Sequence, residues 1–384
     1  MFKLKALICK QTNVLKIPAV QYLPIAFKKR FKNTGTSSDV TNNFKQKVPK
    51  TNATKHCLMM GYSGSQYRGM QYQKRDGAPT IEEILFNAML ECKWITHEAY
   101  KMPHSIGFYH GSRTDKGVSA LRQCCSIRLP TGLKIEDINQ RLPDDVRVFG
   151  LKQVPHTFHA RFSCIARTYT YTLPTIAFSH YNDQSSQVKY RVSADKLKSI
   201  NELLQVFKGS KNYHNFTVDK TYSDQSSYRQ ILDVECEAPF LVHDVEFCTI
   251  RLKGRSFMMH QIRKMMGLML AVAREVTDRS IFDMVFTDRA INCPTAPGLG
   301  LVLDRLHFNS FDQKYGSQYG TLLWEECEEN VQQFFEKQIQ PKIVQTEIQE
   351  EQMLQWLETI LNYLYVPEEL FRNNEFAQSH KAYM

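Results

Sequence analysis

The sequence lacks an apolar run long enough to cross a membrane. An uncharged apolar stretch at residues 17–27 spans only 11 residues and contains Pro18 and Pro24, whereas a membrane helix needs roughly 20 apolar residues. Low-complexity tracts and repeats of solenoid period are also absent. With 42% apolar residues in a chain of 384, the protein can instead fill the cores of two globular domains, and we expect no membrane partner.

Metal-site and cofactor motifs are missing as well. The 10 cysteines form no CxxC pair and no Cys/His cluster with zinc-like spacing. Neither a metal site nor a disulfide framework is therefore indicated, and scattered single cysteines fit a reducing compartment. The absence of a glycine-rich cofactor loop and of zinc ligands argues against redox, methyl-transfer and deaminase chemistry.

Acidic residues are scarce at the N-terminal end and abundant at the C-terminal end. Residues 1–50 carry 11 Lys/Arg and one acid, Asp39, whereas residues 321–384 carry 12 Glu and 4 Lys/Arg. The centre, residues 51–320, keeps a net charge of +8. A basic globular centre favours an anionic partner such as nucleic acid, although many soluble proteins are equally basic.

Residues 1–54 are predicted to form a basic, disordered leader. They resemble an organellar transit peptide, although Lys dominates over the usual Arg. The cluster at residues 28–32 could equally be a nuclear address or an RNA-contacting arm. We therefore expect a mitochondrial or nuclear location, or both; a basic tail without an address is the open alternative.

Strand and helix signals alternate through the central part of the chain. Thr80 and Glu83 have capping-box spacing ahead of one helix, and Ser193 can cap another. The methionine-rich stretch 256–276 predicts a third helix. Strands are predicted at residues 57–62, 118–129, 147–154, 166–173, 244–254 and 298–308. This order predicts an α/β (α+β) fold, in which helices pack on an antiparallel or mixed sheet.

One short stretch, HGSRTDKGVSALRQ at residues 110–123, holds a single carboxylate, Asp115, close to Arg113. Asp before Lys-Gly is ordinary turn chemistry, because Asp bonds its own backbone and Gly117 supplies a positive φ. A carboxylate beside an arginine also stays ionised and can act as a nucleophile at a sugar or ring carbon. No second carboxylate accompanies it, which argues against two-carboxylate glycoside hydrolysis.

Two further positions have both a structural and a functional interpretation. Tyr169 lies two residues before Tyr171 on one strand face, where a ring can stack on an unstacked base or simply fill the core. Arg263 shares a helix face with His260, away from the methionine-rich core line. An arginine there can pair with a carboxylate across a cleft or hold a phosphate, or it can be a solvated surface charge.

Six segments together resemble the TruA-type tRNA pseudouridine synthases, and in particular their eukaryotic branch. They are GYSGSQYRGMQYQ (61–73), SRTDKGVSA (112–120), ARTYTYTLP (166–174), HNFT (214–217), GRSFMMHQIRKMMG (254–267) and APGLGLVL (296–303). Each is a weak signal alone, but six in family order form a strong one.

The resemblance implies two α/β domains whose sheets join around a central basic cleft. We accordingly expect an N-terminal α/β domain at 55–160, which carries the loop around Asp115 (the Asp loop). A second α/β domain at 161–310 would complete the cleft, and an acidic helical extension would follow at 311–384. The family isomerises uridine to pseudouridine, mostly in tRNA and in some members in other structured RNA, without metal or organic cofactor. The chain is then expected to be a monomer or a homodimer.

By position, the resemblance makes Asp115 the catalytic aspartate. Arg113 would help to bind and flip the target, and Tyr169 would stack on its uracil. Arg263 would pair with Asp115 across the cleft. Either Leu299 or Leu301 would pack on the other side of the base.

Basic residues around such a cleft are candidates for phosphate contacts, among them Lys116, Arg122 and Lys264. The competing hypothesis is a non-catalytic RNA-binding protein on the same scaffold. The intact Arg-Thr-Asp motif argues against it, because an inactive relative could lose Asp115 freely.

Overall fold

The computed structural model describes residues 53–74 and 77–367, so most of the expected leader and the last residues of the acidic extension lie outside it. The strands are β1 (Thr54–Tyr62), β2 (Tyr109–His110), β3 (Ser119–Leu129), β4 (Val146–Gln153), β5 (Ala166–Pro174), β6 (Gly209–Asn212), β7 (Tyr228–Cys236), β8 (Phe240–Val242), β9 (Val245–Gly254) and β10 (Leu301–His307). The helices are α1 (Ile81–Glu91), α2 (His97–Lys101), α3 (Ile135–Asn139), α4 (Ala194–Gln205), α5 (Gln261–Ala273), α6 (Ile281–Met284), α7 (Asn309–Tyr319), α8 (Glu328–Phe334), α9 (Gln340–Glu350) and α10 (Gln352–Thr359). Within these described ranges, no helix combines the length and apolarity that a membrane crossing requires.

All ten strands of the described residues form one sheet. Its order is β4-β1-β3-β10-β5-β9-β7-β6, with β2 paired to β3 and β8 paired to β9. β10 runs parallel to β3 and antiparallel to β5. The last strand in sequence therefore lies at the centre and joins an antiparallel N-terminal group to an antiparallel C-terminal group. The predicted α/β class with a mixed sheet is confirmed, while the domain boundaries at residues 160 and 310 stay predictions.

Local sequence signals decide where two of the helices begin. The Thr80 side chain accepts a hydrogen bond from the Glu83 backbone N–H, and the Glu83 carboxylate accepts one from the Thr80 N–H in return. The Ser193 side chain accepts from the Lys196 N–H at the start of α4. Both predicted caps are confirmed, because each depends only on residues three positions apart.

Alternate residues of the central strands enter two cores on opposite faces of the sheet. On β10, Leu301 and Leu303 belong to the first core, whereas Val302 and Leu306 belong to the second. The first core packs beneath α1, α4 and α5. The second core is closed by side chains of α7, α8 and α9.

The acidic extension therefore packs on the sheet, and its last helix, α10, returns to the first core. The helical spacing of Leu354, Leu357, Leu361 and Leu364 between Pro341 and Pro367 predicts a single helix with a leucine stripe, and this prediction is wrong. Glu351 adopts φ +50° and separates α9 from α10. Leu361 and Leu364 are 50% and 46% exposed, so the stripe is not buried as one face.

Candidate active site

A cavity of about 880 Å³ opens where the loop before β3 meets the start of α5. Residues 110–116 and 256–263 form two of its walls, and Tyr169 of β5 and Leu301 of β10 also line it. The volume falls within the range of about 300–1,000 Å³ that is usual for ligand pockets. The central position of β10 brings together wall segments that are far apart in sequence.

Positive charge dominates this cavity. Seven lining residues are cationic: Arg68, Arg113, Lys116, Arg161, Arg167, Arg229 and Arg263. Among the described residues that line it, Asp115 is the sole carboxylate. Clefts of one sign concentrate ligands of the opposite sign, so the wall fits a polyanion.

Asp115 begins a β-turn, as the sequence predicted. Its carbonyl oxygen accepts a hydrogen bond from the Val118 N–H at 3.1 Å, and Gly117 at the third position has φ +78°. The preceding Thr114 is fastened on both sides, because its hydroxyl bonds the Tyr62 hydroxyl at 2.8 Å and its carbonyl accepts from the Met70 N–H. The Asp115 side chain remains 29% exposed. The turn thus holds a carboxylate in the cavity wall without burying it.

Tyr169 lines the cavity with its ring fixed in place. Its hydroxyl bonds the Ser112 hydroxyl at 2.8 Å, and its ring meets Phe257 edge to face with 5.2 Å between centroids. Burial raises the pKa of Tyr169, with the Asp115 charge as a smaller cause. The hydroxyl therefore stays protonated and able to hold the Asp loop.

The two candidate leucines lie on different faces of the sheet. Leu301 is in the cavity wall, whereas Leu299 packs against the second core and does not line the cavity. Of the two alternatives, the cavity lining therefore favours Leu301 over Leu299. Sequence could not separate the two, because both precede or begin the same strand.

The predicted ion pair between Asp115 and Arg263 is not formed, although both residues line the cavity. Arg263 Nε donates to the Ala296 carbonyl at 2.6 Å. Among the described residues, the basic side chain within 4.0 Å of the Asp115 carboxylate is instead His260, with 3.7 Å between Nε2 and Oδ2. Arg263 remains near the loop: a Cβ built on Gly298 would lie 3.9 Å from Arg263 Cζ and 3.6 Å from the Lys116 carbonyl oxygen.

His260 holds this position through an unusual backbone. It caps α5 with φ +61°, in the left-handed region that residues other than glycine rarely adopt. The helix was expected over 256–276 but begins at Gln261, so residues 256–260 form a wall instead. Left-handed non-glycine residues cluster at functional sites, a signal that sequence does not contain.

Sequence analysis also missed Arg167 and His110 in this wall. Arg167 is 9% exposed and donates to the Gly111 carbonyl at 2.8 Å, which ties β5 to the Asp loop. Burial, followed by the charges of Arg113 and Arg161, lowers the pKa of His110 to about 4. His110 is therefore neutral at neutral pH, and it leaves the cationic character to the arginines.

Two of the expected phosphate contacts are not available to a ligand in the cavity. Arg122 is buried and forms ion pairs with Asp304 and Glu328, outside the cavity wall. Lys264 donates to two backbone carbonyls, those of Asn215 and Thr217, and burial lowers its pKa. Lys116 does line the cavity, so it stays a candidate for a phosphate contact.

The fold and this cavity define a class: an α/β protein whose cationic, nucleotide-sized cleft presents one carboxylate. Residues 203–309 match a family model described as tRNA pseudouridine synthase. The chain is 40% identical over 319 residues to the pseudouridylate synthase 1 homolog of Mus musculus, a match that covers 82% of this chain and 75% of that protein. The human protein of the same name is 41% identical over 307 residues, covering 79% and 72%.

A more distant relative, tRNA pseudouridine synthase 1 of Saccharomyces cerevisiae, is 26% identical over 371 residues, with 75% of this chain and 67% of that protein covered. The chain belongs to the pseudouridine synthase family and is an isomerase. The resemblance seen in the six sequence segments is thereby confirmed.

Proposed function

We propose that this enzyme isomerises uridine to pseudouridine in tRNA, with Asp115 as the catalytic residue. The observation that carries the proposal is that Asp115 is the sole carboxylate among the described residues that line a strongly cationic cavity. The relatives named as tRNA pseudouridine synthases supply the substrate class. Their names do not assign a residue; Asp115 is assigned from its position.

The reaction needs little beyond one anionic group. The bond from C1′ to N1 breaks, the uracil turns, and C1′ bonds to C5, so that nothing is added or removed overall. A carboxylate can add to the sugar or the base, or it can promote elimination to a glycal-like intermediate. Either route requires the Asp115 carboxylate to reach the ribose and the uracil of the target nucleotide. Its position in the cavity wall allows this.

The target uridine must leave its helix before it can reach Asp115. The ring of Tyr169 and the side chain of Leu301 line the same cavity and would replace the stacking that the uracil loses. Arg113, two residues before Asp115, is placed to hold the flipped nucleotide. Arg263 would bind the substrate from the opposite wall.

The cationic wall is suited to phosphate. Lys116, Arg113 and Arg161 line the cavity and would contact the RNA backbone. Such contacts position an RNA but do not read its bases, so selection of the target should depend largely on RNA shape. The mitochondrial or nuclear location and the oligomeric state stay predictions.

The test replaces Asp115 with Asn and follows tritium release from tRNA labelled at uridine C5. We expect turnover to fall by roughly 10⁴-fold or more, as for the loss of a catalytic nucleophile. The affinity for tRNA should hold or improve, because a negative charge is removed from a cationic wall. Asp144→Asn, at an exposed carboxylate outside this cavity, is the matched control and should be fully active. Turnover retained by the Asp115→Asn variant would remove the residue from the mechanism.

A further inference from the structure

Four aromatic rings contact one another in a row beside the cavity, with one pair stacked and two pairs tilted. Ring centroids are separated by 5.4 Å between His104 and Tyr109, by 4.1 Å between Tyr109 and His159, and by 4.4 Å between His159 and Phe162. The rings come from three separate chain segments: the turn after α2, strand β2 and the loop after β4. We call these four residues the ring stack.

The ring stack ends in solvent. Phe162 is 77% exposed, and Tyr109 is 36% exposed. A ligand that covered this ring would remove its apolar surface from water, which is favourable. Phe162 therefore presents an open aromatic surface at the end of a preformed stack.

Cations surround these rings. Arg161 Cζ lies 5.9 Å from the Phe162 ring, and Lys55 Nζ lies 5.9 Å from the Tyr109 ring. Burial, followed by the charge of Lys55, lowers the pKa of His159, so its ring is held neutral. An aromatic surface within a cationic field suits an aromatic ring that is joined to a phosphate, which is the chemistry of a nucleotide.

The ring stack also adjoins the active-site cavity through the chain neighbours of two of its rings. Arg161 lines the cavity and reaches the Phe162 ring, and His110 lines it directly after Tyr109. An RNA that delivers a uridine to Asp115 would pass over these residues. This position favours RNA over a protein partner, which would need a broader apolar surface than one exposed phenylalanine and its neighbours.

We propose that the ring stack is a second nucleobase site, in which Phe162 stacks on an unpaired base of the RNA substrate while the target uridine occupies the cavity. The inference rests on the proposed function for its RNA substrate. The base must be unpaired, because a base within a helix already has both faces covered. Stacking on an aromatic ring does not depend on base identity, so this site would extend the binding surface without adding sequence preference.

The test compares Phe162→Leu, which removes the ring, with Phe162→Trp, which keeps one. The probes are an unmodified tRNA transcript and a single-stranded oligoadenylate. We expect Phe162→Leu to weaken the binding of both probes by about 5- to 100-fold, the range for one stacked base. It should raise KM for tRNA and leave kcat nearly unchanged. Phe162→Trp should bind as the wild type does, and its tryptophan fluorescence should be quenched when the oligonucleotide is added.

The matched control is Tyr181→Leu. Tyr181 is 40% exposed, and its ring contacts that of a histidine, His180, with 4.4 Å between centroids, but neither of its chain neighbours lines the cavity, whereas Arg161 beside Phe162 does. It should bind both probes normally. Equal affinities of the wild type and Phe162→Leu, or a Phe162→Trp signal that RNA does not change, would overturn the inference.

Self-association that Phe162→Leu abolishes, without an effect on RNA affinity, would also overturn it and would assign the ring stack to a second copy of the chain. Wild-type turnover, measured on the same preparations, distinguishes a failure of this inference from a failure of the proposed function. If the wild type converts uridine and Phe162→Leu binds normally, only this inference fails. If the wild type neither binds nor converts tRNA, the proposed function fails as well.

Discussion

Replacing Arg122 with methionine should destabilise the protein and leave RNA binding intact. Arg122 is 6% exposed, and its Nη1 lies 2.7 Å from Asp304 Oδ1, while Nη2 pairs with Glu328. Removing one partner from a buried ion pair costs roughly 3–5 kcal/mol, because the other charge stays desolvated. Asp304 would keep Arg251 at 3.3 Å, and Glu328 is half exposed. We therefore expect the lower end of that range, about 3 kcal/mol.

The measurement is the free energy of unfolding in urea, combined with tRNA affinity as a function of salt. Arg251→Met is the matched control, since Arg251 shares Asp304 but its side chain is 42% exposed; it should cost about 1 kcal/mol or less. Arg122 lies outside the cavity, so the dependence of log Kd on log salt should keep its slope. Unfolding free energy within about 1 kcal/mol of the wild type, together with a slope reduced by about one, would refute this reasoning and would make Arg122 a phosphate ligand.

Three further predictions concern the site, the extension and the central strand. His260→Asn should lower kcat/KM by about 5-fold, because it shortens the side chain that lies 3.7 Å from the Asp115 carboxylate, a partly exposed contact worth about 1 kcal/mol. His243→Asn, also at positive φ, should have no effect. Equal loss in both variants would indicate backbone damage instead. Burial raises the pKa of Glu347 from 4.5 to about 7. Between these two values the folded protein binds a proton that the unfolded chain has lost, so the free energy of unfolding should fall as pH rises from about 5 to 8. Glu347→Gln should flatten that fall when unfolding in urea is measured across this pH range. Gly300→Ala would place a Cβ 1.9 Å from the Thr172 carbonyl oxygen and should lower the free energy of unfolding by about 3 kcal/mol or more. Gly298→Ala is the control: its Cβ would lie 3.6 Å from the nearest neighbouring atom, so the free energy of unfolding should change little.

Much of the fold was predictable because its signals are local. The capping box at Thr80 and the cap at Ser193 depend on residues within one helical turn, and both are confirmed. The strand ends agree to within a few residues, because alternation along a strand is read from its own side chains. The turn at Asp115 followed from the Asp-Lys-Gly sequence in the same way.

Where the predictions failed, the deciding neighbour was distant in sequence. Arg122 was predicted to contact phosphate, but β10 places Asp304 beside it, and the two residues form an ion pair. Leu299 and Leu301 are two residues apart, yet one packs against the second core and the other lines the cavity. The helix of Arg263 was expected, but its start at Gln261, which frees His260 to approach Asp115, was not.

The sequence by itself determined the family through its six ordered motifs. It also determined six of the ten described strands and the turn that carries Asp115, since short-range geometry fixes both. Only the tertiary structure decided which basic side chain faces that carboxylate, which arginines reach the cavity and that four rings meet beside it. The ion pairs of Arg122 show the same dependence, because they join residues 182 and 206 positions apart. Coulombic and stacking energies depend on distance through space, and distance along the chain carries almost no information about it.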